Sequence, residues 1–286
     1  MVAKHRMFVW LDAVSLPANV VIAFGRSDDF FLGLLQSKIH EVWALKQGTR
    51  LETRPRYTPT TCFETFPFPF QDDVAEPLDN LEARLDAAKH YKHIVLREEP
   101  VPYRTGQSEI PNPKSAMEHR EAIAEAAREL NQLRESWLNP REWTETRTLE
   151  FPGTPDGVWA RYIDPGTVQE IVLPGQDGIS ESERKKIKIG TVRYPRVEPK
   201  NAECAAKLKK RTLTNLYNER PQWLADAHMR LDAAVAAAYG WPADLSDEQI
   251  LEKLLALNFE RAAEEAKTSE TQKRRNTREK HAEELI

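Results

Sequence analysis

The apolar positions of this chain change period several times along its length. Two short runs, Met7–Leu11 and Val20–Phe24, are separated by Pro17-Ala18-Asn19 and closed by Gly25, which predicts two strands. Phe30, Phe31, Leu34, Leu35, Ile39, Val42 and Trp43 then recur at helical spacing. One helix is predicted here, from a Ser27 cap through an acidic first turn (Asp28, Asp29) to a stop at Gly48. Gly33, Gln36, Ser37 and His40 fall opposite the apolar stripe and predict a polar helix face. Residues 50–61 read as an extended, basic, threonine-rich segment. Phe63, Phe66, Phe68 and Phe70 follow, and Pro67 and Pro69 bracket Phe68, which forbids a helix or a central strand there.

Beyond residue 70 the pattern is mostly helical. A helical stretch is predicted at about 78–96, then a proline-rich linker at 100–113. Ser115 and Glu118 have capping-box spacing ahead of a helix running towards Trp137. Repeated Pro and Gly through residues 139–200 predict a small β-rich insertion. Trp223, Ala227, Leu231, Val235 and Ala238 lie on one helical stripe ended by Gly240 and Pro242. Ser246 and Gln249 form a second capping box, with Ile250, Leu254, Leu255 and Leu257 behind it. From Glu260 onward the chain predicts a solvated helix fraying into disorder. The expected class is α+β: a mixed domain at 1–99, a linker at 100–114, a helical domain at 115–259 with a β-rich insertion at about 142–200, and a charged tail at 260–286.

Composition narrows the chemistry. At 286 residues and 40% hydrophobic content the chain can bury a core. No stretch approaches the roughly 20 apolar residues of a membrane span, and no apolar leader follows Met1. Cys62 and Cys204 are too isolated for a disulfide framework or zinc knuckle. A soluble, cytoplasmic protein without a membrane partner is expected. The glycines never form G-x-G, and neither a P-loop, an H-E-x-x-H nor a G-x-S-x-G elbow occurs. His90 and His93 lack further ligands at metal spacing and read as a solvated helix end. No catalytic, cofactor-binding or metal-ligating set is predicted in this chain. A net charge of −4 means that any nucleic-acid surface must be local.

Three places could carry function. Ser37 and His40 are three apart on one helix face, but no carboxylate or oxyanion hole joins them. They read as a locally hydrogen-bonded polar face or as a surface docked on a nucleic-acid backbone. Lys46, Arg50, Arg54 and Arg56 put four cations within eleven residues, interleaved with Glu52, Tyr57 and Thr58. That mixture suits DNA, because Arg grips guanine bidentately, Glu accepts from cytosine, and hydroxyls and Lys reach phosphates. An exposed strand with one charged face is the structural alternative. The third place is residues 184–211, where eleven cations, including Lys185, Lys186 and Lys188, meet only Glu198 and Glu203. This run reads as a phosphate contact or a solvated face. His228, one turn from Leu224 and from Leu231, reads as a core or boundary histidine.

The order Ser37-x-x-His40-x-x-Trp43, Arg56-Tyr57-Thr58, and Phe63-x-x-Phe66-Pro67-x-Pro69 resembles the target-recognition domain of MmeI-like DNA methyltransferases. These are large single-chain enzymes of type IIL restriction–modification and related phage-defence systems. Residues 213–218, Ala227-His228-Met229-Arg230-Leu231-Asp232 and Tyr239-Gly240 resemble that family's C-terminal helical region.

The resemblance implies an upstream domain that binds S-adenosylmethionine and holds an extruded adenine with N-P-P-[YF] for N6 methylation. Here Asn112-Pro113 precedes Lys114 and Asn139-Pro140 precedes Arg141, so neither matches, and F-x-G-x-G is absent. The chain is therefore expected to be the recognition and supporting end, with residues 1–99 carrying the recognition domain. By itself it would bind no cofactor and be inactive, while the intact enzyme would use S-adenosylmethionine. Its partners would be double-stranded DNA and a methyltransferase catalytic domain, upstream in the same chain or separate. Glu52, Arg54 and Arg56 are the expected base readers. Ser37 and His40 would buttress the site or touch backbone, and Phe63, Phe66 and Phe68 would form a buried crossing segment. The competing readings are a helical protein-interaction module at residues 205–259 and a remnant of a truncated gene, which would expose an apolar patch at Phe63–Phe70.

Overall fold

The computed structural model describes residues 4–12, 15, 17–18, 21–51, 54–70, 113–172 and 186–283. Its helices and small antiparallel sheets make an α+β fold. The chain forms two compact units, one of residues 1–9, 17–131 and 221–286, the other of residues 10–16 and 132–220. The helix predicted at 78–96, the expected linker up to residue 112, the His90/His93 pair, and Arg184 lie outside the described residues, while Pro113 and Lys114, expected in the linker, begin a helix.

In the first unit, the single helix expected from Ser27 to Gly48 is two helices, α1 (Asp29–Gln36) and α2 (Lys38–Gln47). Ser37 makes the break, with an extended ψ of 155°. Its hydroxyl donates to the Leu34 carbonyl at 2.8 Å and accepts from the His40 N–H at 3.3 Å. A serine that serves the backbone on both sides competes with the helical ladder and caps the second helix. Asp28, not Ser27, caps α1 by accepting from the Phe31 N–H at 2.8 Å. Gly48 ends α2 as expected, and there β1 (Thr49–Leu51) begins, antiparallel to β2 (Arg54–Arg56). The register sets Thr49 opposite Arg56, Arg50 opposite Pro55, and Leu51 opposite Arg54. The extended segment stops earlier than expected, because Pro59–Cys62 forms a short helix, α3, with proline in its first turn.

Neither expected N-terminal strand forms among the described residues: Met7–Leu11 and residues 21–28 have no strand. The Gln36 side chain takes the place of a neighbouring strand. Its Oε1 accepts from the Phe8 N–H at 2.8 Å, and its Nε2 donates to the Arg6 carbonyl at 3.1 Å. Buried backbone groups must find partners, and here one amide serves two of them.

Three longer helices complete this unit, the first of them with its residues up to Asn131. Helix α4 (Pro113–Leu138) buries Ile123, Ala124, Ala127 and Leu130. It starts at Pro113, so Ser115 lies inside the helix and is not its cap. Helix α7 (Gln222–Ala238) buries Leu224, Ala227, Leu231 and Val235, the expected stripe with Leu224 at its inner edge in place of half-buried Trp223. Gly240, at φ +68°, turns the chain after it. Helix α8 (Asp247–Glu283) opens with the expected reciprocal cap: Gln249 N–H to Ser246 Oγ at 3.3 Å, and Ser246 N–H to Gln249 Oε1 at 2.9 Å. Its helical backbone continues to Glu283.

The second unit is the expected β-rich insertion with its flanking helices. Strands β3 (Thr144–Gly153), β5 (Lys186–Pro199) and β4 (Gln169–Val172) form an antiparallel sheet in the order β3-β5-β4. Val192 is its buried centre. Around it Phe151, Trp159, Tyr162 and Tyr194 pack edge to face, with Trp159 and Tyr194 at 5.1 Å. Helices α5 (Ala202–Leu208) and α6 (Leu213–Glu219) follow, capped by Asn201 and Thr212.

Candidate nucleic-acid interface

The three motifs of the N-terminal region meet in one interior. Ser37 is 0% exposed, His40 1% and Tyr57 6%. These three therefore lie in the core, and the reading of them as DNA contacts gives way to a supporting role. Pattern alone put Ser37 and His40 on a polar face because it assumed one continuous helix; the break at Ser37 turns both inward.

His40 is fixed at both ring nitrogens. Nδ1 lies 2.9 Å from the Leu35 carbonyl and Nε2 lies 3.2 Å from the Tyr57 hydroxyl. A carbonyl can only accept, so Nδ1 carries the proton and Nε2 accepts from Tyr57. Phe8 and Phe66 pack edge-on to the ring. Burial drives the His40 pKa down to about 4, outweighing the Leu35 hydrogen bond, and nearby Arg6 pushes the same way. Burial likewise raises the Tyr57 phenol. Both side chains are thus neutral at physiological pH. Ser37 Oγ bonds backbone groups and not the His40 ring, so the pair is no nucleophile and base.

The remaining motif residues extend this scaffold. Trp43 Nε1 donates to Thr65 Oγ1 at 3.2 Å. Cys62 packs with Ala44 and Tyr57, and its thiol faces the Ala44 carbonyl at 3.5 Å. Phe66, Phe68 and Phe70 are buried, so the exposed apolar patch expected of a truncated remnant is absent among them. Their proline-interrupted backbone has no ladder, and side chains of α7, α8 and the turn between them satisfy it. Tyr239 OH donates to the Pro67 carbonyl at 2.8 Å, Asn258 Nδ2 to Thr65 at 3.1 Å, and Arg261 to Phe68 at 2.8 Å. Asp232 accepts from the Lys38 N–H at 2.7 Å, capping the start of α2. Asp232, Tyr239 and Phe8 are supports that spacing did not single out, and Gln36, expected on a polar helix face, is buried and holds the Phe8 and Arg6 backbone. The Asp232 and Tyr239 motifs were legible, but their reach across about 170–200 residues was not.

Above this scaffold stands the β1–β2 hairpin. Tyr57 anchors its exit, and Thr58, half-buried, sets its hydroxyl 3.4 Å from that of Thr49 at the hairpin base. Arg56 and Lys46 are exposed. Arg50 and Arg54 lie in β1 and β2, while Glu52 lies outside the described residues. Gly48 lets the strand leave α2 so closely: a Cβ there would stand 2.5 Å from the Arg56 carbonyl and 2.6 Å from that of Ala44.

Lys186 and Lys188 belong to β5 in the second unit, and Lys185 lies outside the described residues. Lys186 pairs with Glu170 at 3.3 Å, Arg193 with Glu150 and Asp164, and Arg196 with Glu198. Much of the strand's positive charge is thereby opposed within the sheet. Among the described residues no group of three or more His, Cys, Asp or Glu could hold a metal ion, and no helix is long and apolar enough to cross a membrane.

No curated protein and no solved structure matches the chain. Residues 5–70 match the family model described as MmeI, target recognition domain, a span that holds the hairpin and all three motifs of the buried scaffold.

Proposed function

We propose that this chain recognises DNA sequence as the reading part of an MmeI-like methyltransferase. The observation that carries the proposal is the coincidence of the matched span with a rigid, neutral core supporting a short arginine-bearing hairpin. Base readout needs side chains held in register on an ordered element, since phosphate contacts position and base contacts specify. Arg50, Glu52, Arg54 and Arg56 are the proposed readers. Lys46, Thr58, Lys185, Lys186 and Lys188 are proposed backbone contacts, whereas Ser37, His40 and Tyr57 hold the hairpin from beneath.

The reaction belongs to another domain in this reading. Adenine N6 methylation requires extrusion of the base into a separate pocket. That pocket and the S-adenosylmethionine site would lie in a catalytic domain upstream or on a separate chain, with this chain binding neither. Such enzymes serve restriction–modification or phage defence, and the proposed setting is cytoplasmic.

Duplex binding by the full chain, measured across salt concentrations, tests the proposal. Affinity that falls steeply with salt is expected. Absence of duplex binding at every salt concentration would contradict it and favour a helical protein-interaction module.

A further inference from the structure

The basic run of residues 184–211 divides into two parts with different fates. On β5, Lys186 meets Glu170, Arg193 meets Glu150 and Asp164, and Arg196 meets Glu198. The stretch from Lys200 to Arg211 instead carries five cations (Lys200, Lys207, Lys209, Lys210 and Arg211) against Glu203 alone. Structure gathers this stretch around the turn at residues 141–143. The Lys200 N–H donates to the Trp143 carbonyl at 2.9 Å, and Lys200 Nζ donates to the Arg141 carbonyl at 2.6 Å. The Arg211 guanidinium lies over both Trp137 and Trp143, at 4.9 and 4.5 Å from their ring centroids, and Lys207 lies over Trp143 at 5.5 Å. Arg211 also donates to the Trp137 carbonyl at 2.5 Å.

The connection between α5 and α6 is locked as well as charged. The Lys210 N–H donates to the Lys207 carbonyl and the Arg211 N–H to the Leu208 carbonyl. Asn215 Nδ2 returns to the Lys210 carbonyl at 2.8 Å. This turn presents Lys209 and Lys210 side by side, both exposed and, among the described residues, without an acidic partner. Glu203 is occupied by Lys207 at 2.7 Å. Two cations on an ordered turn, backed by an arginine held on two indoles, suit phosphate groups spaced along a backbone and offer nothing that would distinguish bases.

We propose that the Lys209–Arg211 turn is a sequence-independent clamp on the sugar–phosphate backbone of duplex DNA, separate from the reading hairpin. It rests on the reading of this chain as a DNA-recognition protein. It moves the main phosphate contact of the basic run from β5 to the α5–α6 turn.

The test is binding of the full chain to a mixed-sequence 30-base-pair duplex as salt is varied, with Lys209→Gln/Lys210→Gln beside wild type and Lys186→Gln/Lys188→Gln. Circular dichroism verifies that the exposed substitutions leave the fold intact. The turn variant should reduce the slope of log affinity against log salt by about 2, since each phosphate contact contributes roughly 0.9. Lys209→Arg/Lys210→Arg should retain the slope. An unchanged slope in the turn variant, with wild type binding duplex, overturns the clamp but leaves the recognition reading standing. No duplex binding by wild type overturns both, and binding to polyglutamate instead would mark the turn as a dock for an acidic protein. A reduced slope without any sequence preference in a randomised pool upholds the clamp and overturns the reading hairpin.

Discussion

His40 shows how one buried residue can organise a surface it never touches. Its two nitrogens join the end of α1 to the exit of the hairpin through Leu35 and Tyr57. Tyr57→Phe removes one hydroxyl and leaves Nε2 buried without a donor, which costs roughly 1–3 kcal/mol. Urea unfolding should show that loss, and unchanged stability would mean the bond is idle. The same residue predicts a pH dependence. The folded pKa of about 4 lies below the ordinary 6.5, so the unfolded chain takes up the proton first as pH falls. The stability this neutral histidine contributes is complete above pH 6.5, declines between 6.5 and about 4, and levels off below. The decline is on the order of 3 kcal/mol. In His40→Phe this component should vanish from the pH profile of unfolding; an identical decline in the variant would assign it elsewhere. Sequence showed the identity and order of Ser37, His40 and Trp43. It could not show their burial, because that depends on a helix break that only Ser37's own hydrogen bonds create.

At the scale of elements, the positions that set the site are close approaches. Gly48 brings α2 and the hairpin together, and a methyl group there meets two backbone carbonyls that cannot swing aside. Gly48→Ala should destabilise the protein by about 1–3 kcal/mol and weaken duplex binding together. Wild-type values for both would show that the hairpin tolerates displacement. Gly33 plays the matching part between α1 and α4, where an added Cβ would stand 2.7 Å from Ile123 Cγ2 and 3.1 Å from Ala127 Cβ. Gly33→Ala should lower unfolding stability despite alanine's better helix propensity of about 1 kcal/mol, and a gain would show that the helices can part freely. Capping chemistry made some elements legible, as at Ser246 and Gln249, where both reciprocal bonds form. It failed at Ser115, where Pro113 starts the helix two residues earlier, and at Met7–Leu11, where a side-chain amide replaced a partner strand.

Across the whole molecule, residues distant in sequence divide the work. The C-terminal helices supply Asp232, Tyr239, Asn258 and Arg261 to the motif scaffold, so they are structural members of the first unit and not a free-standing module. That dependence was not legible, since hydrophobic period reveals a buried stripe but not what lies against it. The overall α+β class and the β-rich insertion were legible, because turn residues and changes of period mark them directly. Charge was legible only in sum: within one basic run Lys186, Arg193 and Arg196 meet carboxylates, while Lys209 and Lys210 stand exposed on a turn.

In the proposed function Arg50, Glu52, Arg54 and Arg56 read bases while the core beneath holds β1 and β2 in register. Its most direct test is selection from a randomised duplex pool by the wild-type chain and by a variant with Glu52 and Arg54 exchanged. Wild type should select a defined preferred sequence, and the variant should change preference at one base pair, worth roughly 1–3 kcal/mol of discrimination. The same preferred sequence from both proteins, with duplex affinity retained, would contradict it.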